Sequence, residues 1–369
     1  MGPMRDRPLS AVVLAAGEGT RMRSSRPKPL HQLCGRPMVL HVLDALAEID
    51  VSQVVVVVGH RGEWVTKTLI DHAPRSLHIE FVEQPEQRGT GDAVAVALTG
   101  LVPDDGIESD VVVLPGDAPL LRPATLAALV RCHREHDAGA TLLTAELDDA
   151  TGYGRVIRGR DGLVSRVVED VEATSEEQAI NEINTSIYCF RRSVLAPSLR
   201  RLSPVNSQGE YYLTDVVSVL YEAGYRVQSL VLADPMEAAG VNDRAQLAVA
   251  EAELRDRINE RWMRLGVTMG DPERTYVDAE TELEPDVSLL PGVILKGRCK
   301  VGEGSRIGPD CTIEECDIGE HCEISHSVCV RATIGPRAKI GPFVYLPPGS
   351  EVPGGEQVNQ VMFSERDDS

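Results

Sequence analysis

The sequence has 369 residues, which predicts two domains because single hydrophobic cores stop growing at about 250 to 300 residues. Its 57 acidic and 37 basic residues give a formal net charge of −20, which argues against binding to nucleic acid or to an anionic membrane surface. No apolar stretch reaches the ~18 residues that a membrane-spanning helix needs. The first apolar run ends in a glycine loop rather than a cleavage site, so we expect a cytoplasmic protein.

Three short apolar runs in the first third of the chain predict strands that are buried on both faces. They cover residues 9–16, 54–59 and 110–116, and each ends in or is followed by glycine. Two segments with helical patterns, 36–49 and 90–100, lie between them. This alternation of strands and helices predicts an α/β fold with a doubly wound parallel sheet.

The pattern changes after residue 243. Asn or Asp precedes a helical stretch and Gly266 follows it, so the sequence predicts a linker helix over residues 244–265. Its apolar stripe is expected to pack rather than to take part in chemistry, and its members are Leu247, Leu254, Ile258, Trp262 and Leu265. The helix would separate a first domain, residues 1–243, from a C-terminal region, residues 266–369.

A six-residue period follows the predicted helix. Aliphatic residues recur at every sixth position in three runs and are often followed by glycine, which is typical of a β-helical solenoid built from hexapeptides. We expect coils from about Leu289 to Val352 and no period in the tail that follows. The predicted inward residues are Leu289, Leu295, Val301, Ile307, Ile313, Ile318, Ile324, Val330, Ile334, Ile340, Leu346 and Val352.

Five of the eight cysteines lie between Cys299 and Cys329, which raises the question of a metal site. No two cysteines form a CxxC pair. Cys299, Cys311 and Cys322 each follow a repeat aliphatic residue by four positions, and a serine and an alanine occupy the same place in other repeats. The spacing therefore favours small residues stacked within the coils over a zinc site.

The stretch LAAGEGTRMRSSRPKPL, residues 14–30, joins an apolar run to glycines and basic side chains. A dinucleotide fingerprint requires glycine where Met22 stands, which argues against an NAD-dependent oxidoreductase, and the P-loop motif is absent. A strand that ends in AAGEG can still present backbone N–H groups to a nucleotide. Arg21 and Lys28 can bring charge to its phosphates, although such residues alone could equally form a solvated loop.

The pattern LAAGxGTRMxSxxPKxL resembles the signature of sugar-1-phosphate nucleotidyltransferases. Over about the first 345 residues the chain is similar to one branch of that family, the bacterial N-acetylglucosamine-1-phosphate uridylyltransferases. The resemblance implies a Rossmann-like nucleotidyltransferase domain with a doubly wound mixed sheet, followed by a short left-handed parallel β-helix. The stretches that carry it are EQPEQRGTGDA (83–93), LPGDAPL (114–120), TGYGRV (151–156), SRVVED (165–170), NEINTSIY (181–188), GEYYLTD (209–215) and AGVNDR (239–244).

The resemblance also implies a nucleotide site. Arg21 and Lys28 would be the catalytic residues that neutralise phosphate charge. Gln84 suits a pyrimidine because one amide offers both a donor and an acceptor, although without the resemblance it would be interpreted as a surface residue of a turn. Uracil and ribose would be held by Leu14, Ala15, Ala16, Gly17, Gln84, Gly89 and Thr90.

A metal site and a sugar site follow from the same resemblance. Asp117 and Asn242 would bind Mg²⁺, which prefers a few protein oxygens together with phosphate oxygens and water, and Gly116 would also contact substrate. Alternatively, Asp117 could cap a helix and Asn242 could be the N-cap of the linker helix. The sugar would be bound by Gly154, Glu169 and Asn184, although Glu169 could otherwise be an exposed acid at a strand end.

The implied reaction is attack by an oxygen of a sugar-1-phosphate on the α-phosphorus of UTP, which expels pyrophosphate. The nucleophile is already an anion, so positioning and charge neutralisation supply the rate and no general base is needed. The expected partners are UTP and the sugar-1-phosphate. Two alternatives stay open: a different sugar-1-phosphate or a different nucleotide (dTTP, CTP or GTP), and a non-catalytic subunit that retains the fold.

The sequence departs from the family in its C-terminal region. Members of the family carry acetyl transfer in further hexapeptide coils, and a basic residue expected near their LxPG motif is replaced here by Pro347. We therefore predict that acetyltransferase activity is absent. The coils that are present are expected to serve as an oligomerisation module, and the resemblance implies a homotrimer, because solenoids of this kind in the family assemble as trimers.

Overall fold

The computed structural model describes residues 7–59, 61–102 and 107–359. The chain divides into two compact units. The second unit contains Gln32–Arg36 and the residues from Ala248 onwards, and the first contains the remainder up to Leu247. This division falls inside the predicted linker helix, so the three predicted domain ranges stay a proposal.

The described part of the chain contains eight α-helices, and none of them is both long and apolar enough to cross a membrane. The helices predicted over residues 36–49 and 90–100 are confirmed as α1 and α3. The eight are α1 (Met38–Ala47), α2 (Gly62–His72), α3 (Thr90–Ala97), α4 (Pro123–Glu135), α5 (Ser175–Gln178), α6 (Arg192–Leu199), α7 (Asp215–Glu222) and α8 (Arg244–Arg264).

Eleven strands precede α8 in the described residues, and nine of them form one sheet. They are β1 (Leu9–Ala15), β2 (Gln32–Leu33), β3 (Arg36–Pro37), β4 (Gln53–Val58), β5 (Ile79–Glu83), β6 (Asp110–Pro115), β7 (Ala140–Glu146), β8 (Arg155–Arg158), β9 (Val164–Val168), β10 (Glu182–Arg191) and β11 (Val227–Val231). The sheet order is β11-β7-β10-β6-β1-β4-β5, with β8 and β9 attached beside β10, while β2 pairs with β3.

The sheet is mixed, as the resemblance implied. Strand β1 runs parallel to both β4 and β6, and β4 runs parallel to β5. Strand β10 runs antiparallel to β6 and β7. All six residues of β4 are buried, because helices cover both of its faces and valine suits such an environment.

Alternate residues of β1 enter two separate hydrophobic layers. Ala11 and Val13 pack in the layer that includes α1, α2 and α4. Val12 packs in the layer that includes α3, α6 and α7. Each fully buried valine contributes roughly 1.5–3 kcal/mol relative to its exposed state. These two layers confirm the doubly wound arrangement.

Four parallel strands place the loops of interest together. The carboxyl ends of β1, β4, β5 and β6 lie at the same edge of the sheet because these strands run in one direction. Gly17 lies just beyond β1, Gln84 directly follows β5, and Gly116 and Asp117 follow β6. Doubly wound folds bind ligands at this edge.

Helix α8 differs from its prediction in two respects, the residue that caps its N-terminus and the extent of its buried stripe. Its N-cap is Asp243, whose side chain accepts a backbone N–H of the first turn at 2.8 Å, so the alternative that Asn242 caps this helix is wrong. Gly266, at φ +97°, follows the helix as predicted. Trp262 is buried, whereas Leu265 lies beyond the last helical residue and is 57% exposed, so it does not belong to the packed stripe.

The second unit contains a left-handed parallel β-helix of three sheets. Their orders are β12-β15-β18-β21-β24-β27, β13-β16-β19-β22-β25 and β14-β17-β20-β23-β26. The strands are β12 (Thr268–Met269), β13 (Tyr276–Val277), β14 (Glu282–Leu283), β15 (Ser288–Leu289), β16 (Ile294–Lys296), β17 (Lys300–Val301), β18 (Arg306–Ile307), β19 (Thr312–Glu314), β20 (Asp317–Ile318), β21 (Glu323–Ile324), β22 (Val328–Val330), β23 (Thr333–Ile334), β24 (Lys339–Ile340), β25 (Tyr345–Leu346), β26 (Glu351–Val352) and β27 (Gln357–Val358).

The β-helix is longer than predicted. Its strands begin at Thr268, well before Leu289. The prediction that the period stops at Val352 is wrong, because Val358 lies six residues further on and pairs in register with Ile340. The end of the predicted irregular tail, residues 360–369, lies outside the described residues.

One predicted inward residue is also wrong. Val330 is only partly buried, whereas Cys329 is fully buried and aligns with Ile313 on one side and Leu346 on the other. The spacing from Ile313 to Cys329 is sixteen residues, shorter than the eighteen from Leu295 to Ile313. A strict six-residue count from Ile324 therefore predicts Val330 as the inward residue, one position after the residue that is buried, Cys329.

The cysteines of the coils lie in the core, as the stacking interpretation predicted. Cys299, Cys311 and Cys322 are 0% exposed. The thiol of Cys322 donates to the carbonyl of Gly335 at 3.2 Å, in the neighbouring coil. Burial raises the pKa of Cys299 to about 11, which favours its protonated thiol. Among the described residues, no group of three or more His, Cys, Asp or Glu side chains is arranged to hold a metal.

Candidate active site

A cavity of about 520 Å³ lies in the first unit, at the carboxyl edge of the parallel strands. Of the predicted site residues, Arg21 and Gly154 do not line it. Gly154 adjoins it, because its carbonyl accepts the N–H of Asn184 at 2.8 Å. The predicted residues that line the cavity are Leu14, Ala15, Ala16, Gly17, Lys28, Gln84, Gly89, Thr90, Gly116, Asp117, Glu169, Asn184 and Asn242.

The loop after β1 is shaped by a glycine that the sequence analysis did not single out. Gly19 has φ +64°, and a Cβ added there would lie 2.6 Å from Cβ of Lys28. Buried Met22 anchors the next turn of the loop. A Cβ at Gly17, by contrast, would meet no atom within 4 Å. Gly19 thus allows the chain to fold back and place Lys28 in the cavity wall.

Two basic side chains converge on the two predicted metal ligands. The ammonium of Lys28 donates to Oδ1 of Asn242 at 2.7 Å and forms an ion pair with Oδ2 of Asp117. The guanidinium of Arg21 donates to the same Oδ1 of Asn242 at 3.0 Å. The N–H of Val241 donates to the backbone carbonyl of Asp117 at 2.9 Å, which holds the two segments together.

The oxygens of Asp117 and Asn242 fit a hard divalent cation. A carboxylate and an amide oxygen are ligands that Mg²⁺ accepts, and the remaining positions suit phosphate oxygens and water. In this structure both oxygens already point at one positive charge, the ammonium of Lys28. The alternative that Asp117 caps a helix is wrong, because the next helix, α4, begins only at Pro123.

The amide of Gln84 offers less than the sequence analysis expected. Its Nε2 donates to Oδ2 of Asp92 at 2.8 Å and to the carbonyl of Gly89 at 3.3 Å. Both hydrogens are therefore used, and only the oxygen remains for a ligand. The expectation that one amide supplies both a donor and an acceptor is wrong. The surface-turn alternative is also wrong, since Gln84 is 4% exposed.

Glu169 also lines the cavity. Its Oε1 accepts the hydroxyl of Thr214 at 3.0 Å. Burial raises the pKa of the Glu169 carboxyl, and the negative charges of Asp215, Glu172 and Glu210 add to that rise. Glu169 is only partly exposed, so the alternative of an exposed acid at a strand end is wrong.

Asn184 is placed by an irregularity in β10. The pairing of β10 with β7 shifts register between Asn184 and Ile187, and Ser186 adopts φ +62°. The amide of Asn184 donates to the hydroxyl of Tyr188 at 2.7 Å. Tyr188 stacks on Phe190 with ring centroids 5.3 Å apart, which fixes that hydroxyl.

Several cavity residues were not identified from the sequence. Gln87 is one of them, and its side-chain amide donates to the carbonyl of Ala16. All of them lie in or next to the motif stretches that carry the family resemblance, but a motif alone does not say which of its side chains face a cavity. They include Gln87, Gly152, Tyr153, Thr185, Ser186, Tyr188, Glu210, Tyr212, Thr214 and Gly240.

Comparison with known families identifies the family to which the chain belongs. The profile of the MobA-like NTP transferase domain matches residues 11–217, more than half of the chain. The chain belongs to the MobA-like NTP transferase family. The match includes every predicted site residue except Asn242, and it confirms the family resemblance found in the sequence motifs.

Curated relatives of this NTP transferase cover more of the chain. The bifunctional protein GlmU of Desulfitobacterium hafniense (strain DSM 10664 / DCB-2) is 46% identical over 310 residues, which are 84% of this chain and 66% of the relative. GlmU of Heliobacterium modesticaldum is 45% identical over 312 residues, 85% of this chain and 66% of the relative. GlmU of Thermobifida fusca is 44% identical over 315 residues, which are 85% of this chain and 64% of the relative. The chain therefore spans slightly less than two thirds of the length of these relatives.

Proposed function

We propose that this chain transfers UMP from UTP to N-acetylglucosamine-1-phosphate, giving UDP-N-acetylglucosamine and pyrophosphate. The observation that carries the proposal is a single cavity lined by two chemically different sets of residues. In one set, Lys28 pairs with Asp117 and, together with Arg21 just outside the wall, donates to Asn242. The other set contains Glu169 and Asn184. The identity of 44–46% to GlmU proteins supports the choice of substrates.

The nucleotide would bind along the carboxyl edge of the sheet. The backbone after β1, from Leu14 to Gly17, would contact uracil and ribose, together with Gln84, Gly89 and Thr90. Gly89 has φ +108°, and a Cβ there would lie 2.6 Å from the carbonyl of Tyr211, so glycine allows this part of the loop to pack against Tyr211 while it lines the cavity.

In the reaction, a phosphate oxygen of the sugar-1-phosphate attacks the α-phosphorus of UTP. A new P–O bond forms, the bond from the α-phosphorus to the bridging oxygen breaks, and pyrophosphate leaves with the electron pair. Lys28 and Arg21 would hold the triphosphate in line and neutralise its developing charge. Asp117 and Asn242 would hold Mg²⁺, which supplies further neutralisation of phosphate charge.

The sugar would bind beside Glu169 and Asn184. The carboxylate of Glu169 can accept sugar hydroxyls, and Asn184 can reach a hydroxyl or the acetamido group. An added Cβ at Gly154 would lie 3.0 Å from Cγ1 of Val167, so this glycine lets the chain pack closely against the end of β9 beside Glu169. These assignments would give sugar recognition to residues other than Lys28 and Arg21.

Pyrophosphate release from a panel of UTP, dTTP, CTP, GTP and ATP, each with several sugar-1-phosphates, tests the proposal. We expect UTP with N-acetylglucosamine-1-phosphate to give the highest kcat/KM. A higher value for another pair would favour the alternative that this NTP transferase activates a different sugar or uses a different nucleotide. Absence of pyrophosphate release with every pair would favour a non-catalytic subunit that retains the fold.

We also propose that the β-helix assembles as a homotrimer. One of its three faces, the sheet that contains β13 and β25, exposes Tyr276, Val328 and Tyr345, which are 42%, 39% and 44% exposed. The matching positions of the sheet that contains β18 and β24 are polar, for example Arg306 and Lys339. An apolar ladder on one face is a surface that a second copy can cover.

A further inference from the structure

The side chain of Gln84 is held in one orientation by two acceptors. Its Nε2 lies 2.8 Å from Oδ2 of Asp92 and 3.3 Å from the carbonyl oxygen of Gly89. A carboxylate and a carbonyl can only accept hydrogen bonds, so the nitrogen, and not the oxygen, must face them. Turning the amide over would bring its oxygen against two other acceptors.

The position of Asp92 makes this arrangement stable. Asp92 lies in the first turn of α3, where a carboxylate is favoured by the helix dipole. Gln84 is 4% exposed, so water cannot readily replace the bond to Asp92. The orientation of the Gln84 amide thus depends on one carboxylate eight residues further along the chain.

The free atom of this amide is its oxygen. Gln84 lines the cavity, and its Oε1 has no hydrogen-bond partner among the described residues. Oε1 of Gln84 is also not one of the fully buried side-chain atoms that lack a hydrogen-bond partner among the described residues. Gln84 therefore presents an acceptor, and no donor, to a ligand.

We propose that Asp92 is a positioning residue for base specificity: it holds Gln84 as an acceptor-only group that selects bases with an imino N–H. Uracil and thymine carry a hydrogen on N3 that can be donated to Oε1. Cytosine has an unprotonated N3 acceptor at that place, so Oε1 and N3 would face each other unpaired. The inference rests on the proposed function, because it requires the base to lie against Gln84.

Asp92→Asn tests this role. An asparagine can donate from its own amide to Oε1 of Gln84, which allows the Gln84 amide to turn over and present Nε2 to cytosine. We expect the ratio of kcat/KM for UTP to that for CTP to fall roughly 10-fold or more, mainly through KM. The ratio of UTP to dTTP should stay unchanged, because both bases carry N3–H.

The ratio of kcat/KM for UTP to that for CTP, measured on one variant, does not depend on the fraction of active protein. If Asp92 contributed only to the stability of the fold, its replacement would therefore leave this ratio unchanged. Asp71→Asn is the matched control, since it removes the same charge from an exposed position on α2. Asp92→Ala is the second variant: it removes the acceptor without adding a donor, and it too should narrow the preference for UTP over CTP. Unchanged UTP:CTP ratios in both variants would overturn the inference.

Nucleotide affinities measured by calorimetry without sugar separate this inference from the proposed function. If wild type binds UTP better than CTP and Asp92→Asn narrows that difference, the role of Asp92 stands even where no pyrophosphate is formed, and only the proposed function fails. If wild type releases pyrophosphate but binds UTP and CTP equally, the role of Asp92 fails and the transferase activity stands.

Discussion

Replacing Lys28 with methionine should raise the affinity for Mg²⁺ and lower the turnover rate. The Lys28 ammonium bridges the oxygens of Asp117 and Asn242, which are the proposed Mg²⁺ ligands. The side chains of Lys28 and Asp117 are only 13% and 20% exposed, so solvent weakens this pairing little. A divalent cation must displace the ammonium before it can bind both oxygens.

The size of the effect follows from that displacement. Hydrogen bonds to charged groups contribute about 1.5–3 kcal/mol each. Loss of one such competing bond would raise the affinity for Mg²⁺ about 10-fold to 10²-fold in Lys28→Met. Turnover should fall about 10²-fold to 10³-fold, the usual loss when a fixed charge donor leaves a transition state.

Calorimetric titration with Mg²⁺ in the absence of nucleotide measures the first effect, and steady-state pyrophosphate release measures the second. Lys67→Met is the control, because Lys67 lies on α2 and does not line the cavity. Mg²⁺ affinity that is unchanged or weaker in Lys28→Met would show that the ammonium does not compete with the metal. A turnover rate near that of wild type would remove Lys28 from the reaction.

Five further outcomes are expected. Asp117→Ala should abolish Mg²⁺ binding measured by calorimetry, and retained binding would contradict the ligand assignment. Glu169→Gln should raise KM for the sugar-1-phosphate but not for UTP. In wild type, the raised pKa of the Glu169 carboxyl means that the folded state loses stability as pH increases through that pKa. Glu169→Gln removes this loss, so the variant should have a higher Tm than wild type at pH 7, and the difference should vanish below the ordinary pKa of glutamate. An equal Tm at pH 7 would contradict this expectation. Val328→Glu should reduce an oligomer towards the 40.0 kDa chain in light scattering, whereas Thr333→Glu on another face should not. The family resemblance implies a basic residue where Pro347 stands, so we expect no release of coenzyme A from acetyl-CoA with glucosamine-1-phosphate, and release above background would refute that expectation.

The strands and helices of the first unit could be predicted where burial on both faces leaves a continuous apolar run, as at β1, β4 and β6. The β-helix could be predicted from its period, because each coil must bury one residue per side. The count failed at Val330, where a shorter coil moves Cys329 inward. A period fixes spacing only while every coil has the same length.

Side-chain partners were harder to predict than elements. Asn242 and Asp243 are both good N-caps, and only the start of α8 at Arg244 decides between them. The hydrogen bond between Gln84 and Asp92 depends on the conformation of the loop between β5 and α3, which brings the two side chains together. Neither residue type nor spacing specifies that conformation. The sequence could therefore identify Gln84 but not which atom of its amide is free.

Charge is distributed unevenly among the residues in and beside the cavity. Two cations, Lys28 and Arg21, bind Asn242, and one carboxylate, Asp117, pairs with Lys28, which leaves an excess of one positive charge among these groups in a chain of net charge −20. Glu169 and Glu210 also line the cavity wall, and Glu169 is desolvated by burial. Phosphates are attracted to the two cations and repelled by the two glutamates, so we expect the phosphates of the proposed nucleotide and sugar-1-phosphate to meet near Lys28. That is the arrangement which the proposed in-line displacement at the α-phosphorus requires.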